Sequence, residues 1–343
     1  MLLVRLRCIC VLFPVIILLA AVCSKDTREK TAAAAAAIAR EVLSVDDTLP
    51  LQEACGLISA RLCAELRPGD TSSLGFFNHV LDSTAGAITK NTGNGKAGPE
   101  TLDSILNVVY GSWNIGFDPR DTVTGTLLPH LVFTNRKGAC LGVSLIILMF
   151  AEKLKLPVYG VMLPGHFFCR YDDGEHRINI EPNKQGYAHP DDYYRTHYPC
   201  EHQPGYGLAT LDKKAVIGVL CYNAGALCLN RKHYDEAVAW YRESVRRIPD
   251  FAEAKGNLAV AYAKKGNGDT ALALFDGLFI AHPDMVNLAL NYGSVASAAK
   301  QYTRAVEIYR KGLEYFPNDT ILRKRLEIIQ GEIKCFSVNK KKE

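Results

Sequence analysis

The chain has 343 residues, of which 48% are hydrophobic and 22% charged, enough to bury a large core and to form two or three domains. Its 40 basic and 36 acidic residues leave a net charge of +4, small for this length, which argues against dedicated nucleic-acid binding. No phosphate-cradling glycine motif appears either.

At the N-terminus Arg5 and Arg7 precede an unbroken apolar run from Cys8 to Cys23, followed by Lys25, Asp26 and Arg28. The run falls short of the roughly 20 residues of a spanning helix, so residues 1–23 read as a cleaved secretory signal. A retained anchor is the alternative, as is a lipid on Cys23, although Ala20 and Val22 suit a lipobox poorly. The expected location is therefore outside the cytoplasm: periplasmic, cell-envelope or secreted, with membrane contact only through that segment.

Export permits disulfides, and the remainder holds Cys55, Cys63, Cys140, Cys169, Cys200, Cys221, Cys228 and Cys335. If Cys221 and Cys228 share a helix, their Cα atoms lie about 10 Å apart, beyond disulfide reach, and the same holds for Cys55 and Cys63. Cys169 with Cys200 stays open, but the spacing forms no disulfide framework and buried free thiols are expected.

Residues 24–50 include the alanine-rich run from Ala32 to Ala39, a helical spacer by propensity. Apolar spacing predicts amphipathic helices over Leu51–Leu66 and Leu102–Val109, with a loop at Asn91–Glu100 rich in Gly, Asn and Pro. From Cys140 to Met149 apolar residues surround the helix on all faces, so this is a buried element. Pro157–Leu163, His166–Tyr171 and Arg177–Glu181 read as strands, the last two joined by a turn at Asp172-Asp173-Gly174-Glu175. Residues 51–212 are thus expected to form an α+β domain.

That domain places a cysteine at a helix start, a histidine at the start of one strand and a carboxylate at the end of the next. A thiol nucleophile needs a helix N-terminus to favour the thiolate, an imidazole to take the proton and an acceptor to fix the imidazole tautomer. Cys140, His166 and Glu181 supply these parts. Asn179 competes with Glu181 for the third role, since an amide also accepts from a ring N–H. The plain packing reading is that Cys140 is a core residue opening an apolar helix. His197, Cys200 and His202 lack the paired spacing of a structural zinc site, so neither metal nor cofactor is expected. Tyr110, Trp113 and Phe117 read as core.

The C-terminal third repeats with a period of 34 residues: Ala237, Ala271 and Ala305; Pro249, Pro283 and Pro317; Asn223, Asn257 and Asn291. With an aromatic four residues after each alanine (Tyr241, Phe275, Tyr309), the pattern resembles tetratricopeptide repeats. Residues 215–318 are therefore expected to be an all-α solenoid of three repeats, and residues 319–343 a capping helix over Ile321–Ile333 with a basic tail. The three asparagines form a candidate ladder for the backbone of an extended peptide; helix-to-helix bonding inside the array is the competing reading. No lysine cluster suits a clamp for a C-terminal carboxylate.

The segments Arg136-Lys137-Gly138-Ala139-Cys140-Leu141-Gly142, LPVYGVMLPGHFFCRY and NIEPNKQG resemble the transglutaminase-like superfamily over about residues 101–198. The resemblance implies a papain-like fold in which Cys140 is the nucleophile, His166 the base and an acidic residue the third member. Glu181 stands where aspartate is expected. It further implies a cysteine hydrolase or acyltransferase acting on amide or isopeptide bonds, with the repeats docking a protein or peptide partner. A catalytically inactive scaffold that only binds polypeptides is the alternative, and action on a small amide-containing metabolite a third.

Overall fold

The computed structural model describes residues 46–66, 71–92, 98–119, 124–200, 203 and 205–339. The expected signal segment, the alanine-rich run, His202 and the last four residues lie outside the described residues. Among the described residues no helix is long and apolar enough to cross a membrane.

The N-terminal part begins with α1 (Leu51–Leu66), α2 (Ser72–Thr92) and α3 (Pro99–Leu106), which opens on Pro99 and runs into a π turn at Asn107–Ser112. The first and third follow the apolar spacing. The second was not expected: Ser, Gly, Thr and Asn dilute helix propensity across it, yet it buries Phe77, Leu81, Ala85 and Ile88 at i, i+4, i+8 and i+11. Burial of that stripe outweighs the weak local preference.

Next come β1 (Gly116–Phe117), α4 (Thr124–Leu127), α5 (Pro129–Asn135), β2 (Lys137–Gly138) and the central helix α6 (Cys140–Lys153). Every residue of α6 from Leu141 to Ala151 is buried. A three-stranded antiparallel sheet, β3 (Val158–Leu163), β4 (His166–Asp172) and β5 (Arg177–Ile180) in the order β3-β4-β5, packs on it through β3 and β4, while β1 and β2 form a separate parallel pair. The β4–β5 turn is set by Gly174 at φ +90° and by Asp173 Oδ1, which accepts the N–H groups of Glu175 and His176. A short helix α7 (Asp191–His197) then covers the sheet end. Trp113 is buried against Phe133 and Phe150, whereas Phe117, on the two-residue β1, is 42% exposed, contrary to its reading as core.

Seven helices follow: α8 (Lys213–Asn230), α9 (Tyr234–Arg247), α10 (Ala252–Lys264), α11 (Gly268–Ala281), α12 (Val286–Ala298), α13 (Tyr302–Tyr315) and α14 (Thr320–Asn339). They pair as α8–α9, α10–α11 and α12–α13, with α14 as the cap. Ala237, Ala271 and Ala305 are fully buried, as are their partners Tyr241, Phe275 and Tyr309. A fourth column, not singled out from the sequence, is Gly225, Ala259 and Gly293. A Cβ on Gly225 would lie 2.8 Å from the Tyr241 ring, and one on Gly293 would enter the Tyr309 ring, so the tyrosine repeats need glycine and the phenylalanine repeat carries alanine.

Helix α1 packs against both α6 and α8. Lys213 donates to Leu49 O and pairs with Glu152, Arg231 donates to Leu66 O, and Arg247 donates to Asp47, so the first repeat is anchored to the start of the α+β part. Gly160 of β3 makes room for this contact: a Cβ there would strike the Phe167 ring and come within 3.0 Å of Val216 on α8. Among the described residues Cys55, Cys63, Cys140, Cys169, Cys200, Cys221 and Cys228 are in no disulfide.

Candidate active site

Cys140 is the first residue of α6, after Ala139 in extended conformation with no side-chain cap. The N–H groups of the first turn thus carry the positive end of the helix dipole toward the thiol. Two glycines hold this turn in place. A Cβ on Gly138 would lie 2.7 Å from both Val132 and Val143, and one on Gly142 would collide with the Thr126 carbonyl, which also accepts the Ala139 N–H at 2.9 Å. The cysteine turn is therefore pressed onto α4 and α5, and Cys140 itself is half-buried.

His166 opens β4 with its imidazole close enough to Cys140 to interact with the thiol. Its Nε2 meets Glu181 Oε2 at 2.8 Å, leaving Nδ1 as the nitrogen for the sulfur. Glu181 follows the last residue of β5 and is 3% exposed, His166 5%. The carboxylate also accepts Tyr194 Oη at 3.2 Å and, through Oε1, the Asn183 N–H at 3.0 Å. Burial works to lower the His166 pKa, but hydrogen bonds to Cys140 and Glu181 and the charge on Glu181 outweigh it and raise it to about 9. The surroundings thus favour the protonated imidazole at neutral pH.

Asn179 does not reach the histidine. It accepts from Arg170 Nε at 2.7 Å and donates to His189 O and Asp191 Oδ1. The two residues diverge because β5 ends at Ile180 and the chain turns into a 3-10 segment at Pro182–Lys184, which swings Glu181 under the imidazole. The longer glutamate reaches it directly.

Sequence reasoning missed the wall that holds His166. The Tyr198 ring stacks on the imidazole at 4.5 Å and 13°, and Tyr194, stacked on Phe168 at 4.0 Å, supplies the hydroxyl to Glu181. Both tyrosines belong to the segment that α7 positions, and buried Arg170 fixes that helix by donating to Asp191 at 2.5 Å. The signal was Tyr194 and Tyr198, spaced by four at the end of a helix too short to read by periodicity. Of the weaker candidates, His197 Nδ1 lies 2.8 Å from Tyr193 O, and among the described residues no group of three His, Cys, Asp or Glu side chains is placed to hold a metal.

Asn223, Asn257 and Asn291 all lie on the first helix of their repeats and are half-buried. Asn223 Nδ2 donates to Val219 O of its own helix, and Asn257 Nδ2 to Tyr222 Oη of the preceding repeat at 3.1 Å. Two of the three amides therefore serve bonds within the array.

A helix-borne cysteine, a buried histidine–carboxylate pair and a following array of helical hairpins define a two-part protein, a thiol-bearing α+β domain with a repeat solenoid. Residues 76–198 match the family model described as transglutaminase-like superfamily, and residues 229–284 and 257–320 match that of the tetratricopeptide repeat, so the chain carries a transglutaminase-like domain followed by tetratricopeptide repeats. Among curated proteins it is similar to Hsp70-Hsp90 organizing protein 1 of Glycine max, 30% identical over 105 residues. That match covers 31% of this chain but only 17% of the relative's length. A UPF0162 protein of Haemophilus influenzae is 29% identical over 85 residues, 24% of this chain and 32% of that one. Among solved structures, the Sgt2 TPR domain from Aspergillus fumigatus covers 34% of this chain and 79% of its own at 22% identity and a TM-score of 0.32. The first TPR of Spaghetti (RPAP3) bound to an HSP90 peptide covers 34% and 95% at 19% identity, with a TM-score of 0.32.

Proposed function

We propose that the chain is a cysteine hydrolase or acyltransferase acting on amide or isopeptide bonds, with Cys140 as nucleophile, His166 as acid–base and Glu181 as the group that orients and charges the imidazole. The observation that carries this is the buried His166–Glu181 pair, 2.8 Å apart, with a cysteine at a helix start interacting with the imidazole. Pure core packing needs no such pair, and burying it is costly unless every partner is satisfied, as Glu181 is.

In the proposed reaction the Cys140 sulfur attacks the amide carbonyl carbon, and the oxygen gathers negative charge near the Cys140 backbone N–H. The tetrahedral species collapses as the C–N bond breaks, and the His166 imidazolium gives its proton to the leaving amine. The resulting thioester is attacked by water, which loses its proton to His166 and releases an acid, or by an amine, which gives a new amide; in either case the C–S bond breaks, the sulfur leaves as thiolate and the starting pair with the imidazolium is restored.

The repeats are proposed to dock the polypeptide, a reading supported by their family and by relatives named as Hsp70–Hsp90 organizing proteins. Export is proposed from the N-terminal apolar run alone, and the N-terminal sequence of the protein recovered from its host tests it.

The first test is alkylation of the full chain by limiting iodoacetamide. Burial pushes the Cys169 and Cys221 thiols up to about 12 and raises Cys55 and Cys228 as well, so none of these competes. Cys140 is expected to take the label at pH 6, and His166→Ala to abolish that reactivity. Equal, slow labelling of all thiols would reject the nucleophile and leave polypeptide binding as the function.

A further inference from the structure

The segment that joins the two parts is bonded to both. On the α+β side, Gly207 N–H donates to Met162 O at 3.0 Å, Leu211 N–H donates to Gly160 O at 2.8 Å, and Arg170 Nη1 donates to Leu208 O at 2.5 Å. The connector thus runs along the free edge of β3, and Leu208 packs in the cluster of Val161, Leu163, Phe168 and Tyr194 that Tyr198 also joins. This is the wall behind His166.

On the repeat side, Tyr206 sits edge-on to Phe251 with ring centroids 5.3 Å apart, and its hydroxyl donates to Glu253 of α10. Gly205, at φ +90°, lets the backbone come this close, since a Cβ there would lie 2.8 Å from Phe251 Cα. Glu253 also accepts Tyr222 Oη at 2.8 Å, and that hydroxyl in turn accepts from Asn257 at 3.1 Å. A relay of Asn257, Tyr222 and Glu253 therefore ends on Tyr206, two residues from Leu208.

We propose that Tyr206, seated on Glu253, is a positioning residue for the thiol site, so that the repeat array holds the His166 wall in place through the connector. A polypeptide that engages Asn257 or Glu253 must then alter the Tyr206 seat, and the site responds. This rests on the reading of Cys140 as nucleophile. The physical basis is that a side chain holds an active geometry only when its supporting shell is fixed. Release of Tyr206 leaves the Gly207 and Leu211 amides as the connector's ties to β3, with the Arg170 bond to Leu208, and loosens Leu208 beneath Tyr194 and Tyr198.

The test uses the full chain with Tyr206→Ala, Tyr206→Phe and Glu253→Ala. Two quantities are followed: hydrogen exchange of the Gly207 and Leu211 amides, and the pH profile of Cys140 alkylation by iodoacetamide. Tyr206→Ala is expected to speed exchange at both amides and to lower alkylation at pH 6 by about 10- to 100-fold, the range a displacement of up to 1 Å produces in a catalytic pair. Tyr206→Phe, which keeps the ring on Phe251, should fall between Tyr206→Ala and the parent, and Glu253→Ala should match Tyr206→Phe. Faster exchange with an unchanged pH profile would overturn the proposal, as would unchanged exchange. If the parent chain itself shows no His166-dependent alkylation, the nucleophile reading has failed and takes the proposal with it; that outcome is seen in the parent and His166→Ala pair before any Tyr206 variant is compared. Should Tyr206→Ala not fold, the two milder variants decide.

Discussion

The two parts of this chain solve the packing problem in opposite ways. In the repeats each buried position recurs, and small residues at fixed intervals let helices close on aromatic rings: Ala237, Ala271 and Ala305 beside Tyr241, Phe275 and Tyr309. In the transglutaminase-like domain no buried contact recurs. One apolar helix is surrounded by unlike elements, and charged groups lie inside, with His166, Arg170 and Glu181 all nearly inaccessible. Stability in the first case is spread over many equivalent contacts; in the second it converges on a few polar residues that must all be satisfied.

The sharpest way to break that comparison is Glu181→Ala. It removes the acceptor of His166, Tyr194 and the Asn183 N–H together, leaving a cationic imidazole buried without its partner. A loss of about 3–5 kcal/mol is expected, as for breaking buried ion pairs generally, and chemical denaturation measures it. Glu181→Gln keeps the shape and an acceptor, so it should recover much of the stability while still losing Cys140 alkylation at pH 6. If both variants are as stable as the parent, the pair is ornamental to the fold.

A smaller effect comes from adding one methyl group in each part. Gly142→Ala drives a Cβ into the Thr126 carbonyl, which is backbone and cannot swing aside, whereas Gly225→Ala meets the Tyr241 ring at 2.8 Å, a side-chain rather than a backbone contact. Overpacking costs about 1–3 kcal/mol, and Gly142→Ala is expected at the top of that range and Gly225→Ala at the bottom. The order, read from thermal unfolding midpoints, matters more than either value. A reversed order would mean that the repeat interface is the more rigid of the two.

The same contrast explains what was legible in the sequence. Three aligned columns at a period of 34 sufficed to place the repeats, because each column serves the same contact each time. The strands β3 to β5 and α6 were equally plain, being short apolar runs between turn residues. Helix α2 was not, since its buried stripe is carried by a sequence with weak helix preference, and only the surrounding core rewards it. Cys140, His166 and Glu181 could be named as a set from order and spacing alone. The choice between Glu181 and Asn179 could not, because it depends on β5 ending one residue before Glu181. Tyr194, Tyr198 and Arg170 act through contacts across 9 to 38 positions of chain, which no local pattern records.

A further predicted effect is a pH dependence that belongs to the α+β part. His166 is raised from 6.5 to about 9 in the folded chain, so its protonated form is favoured by folding. The stabilisation it gives is fully present below the unfolded value of 6.5 and is lost as pH rises through about 9. Unfolding free energy should therefore decline across pH 6.5 to 9. Cys140→Ala and Glu181→Gln each remove groups that raise the histidine, so the decline should end at a lower pH in both variants. The repeats hold no comparable buried histidine among the described residues. Denaturation curves at closely spaced pH values for the parent and these two variants would show the window narrower in both variants than in the parent. A decline of the same breadth in all three would assign the titration to another group and remove the electrostatic coupling between Cys140, His166 and Glu181.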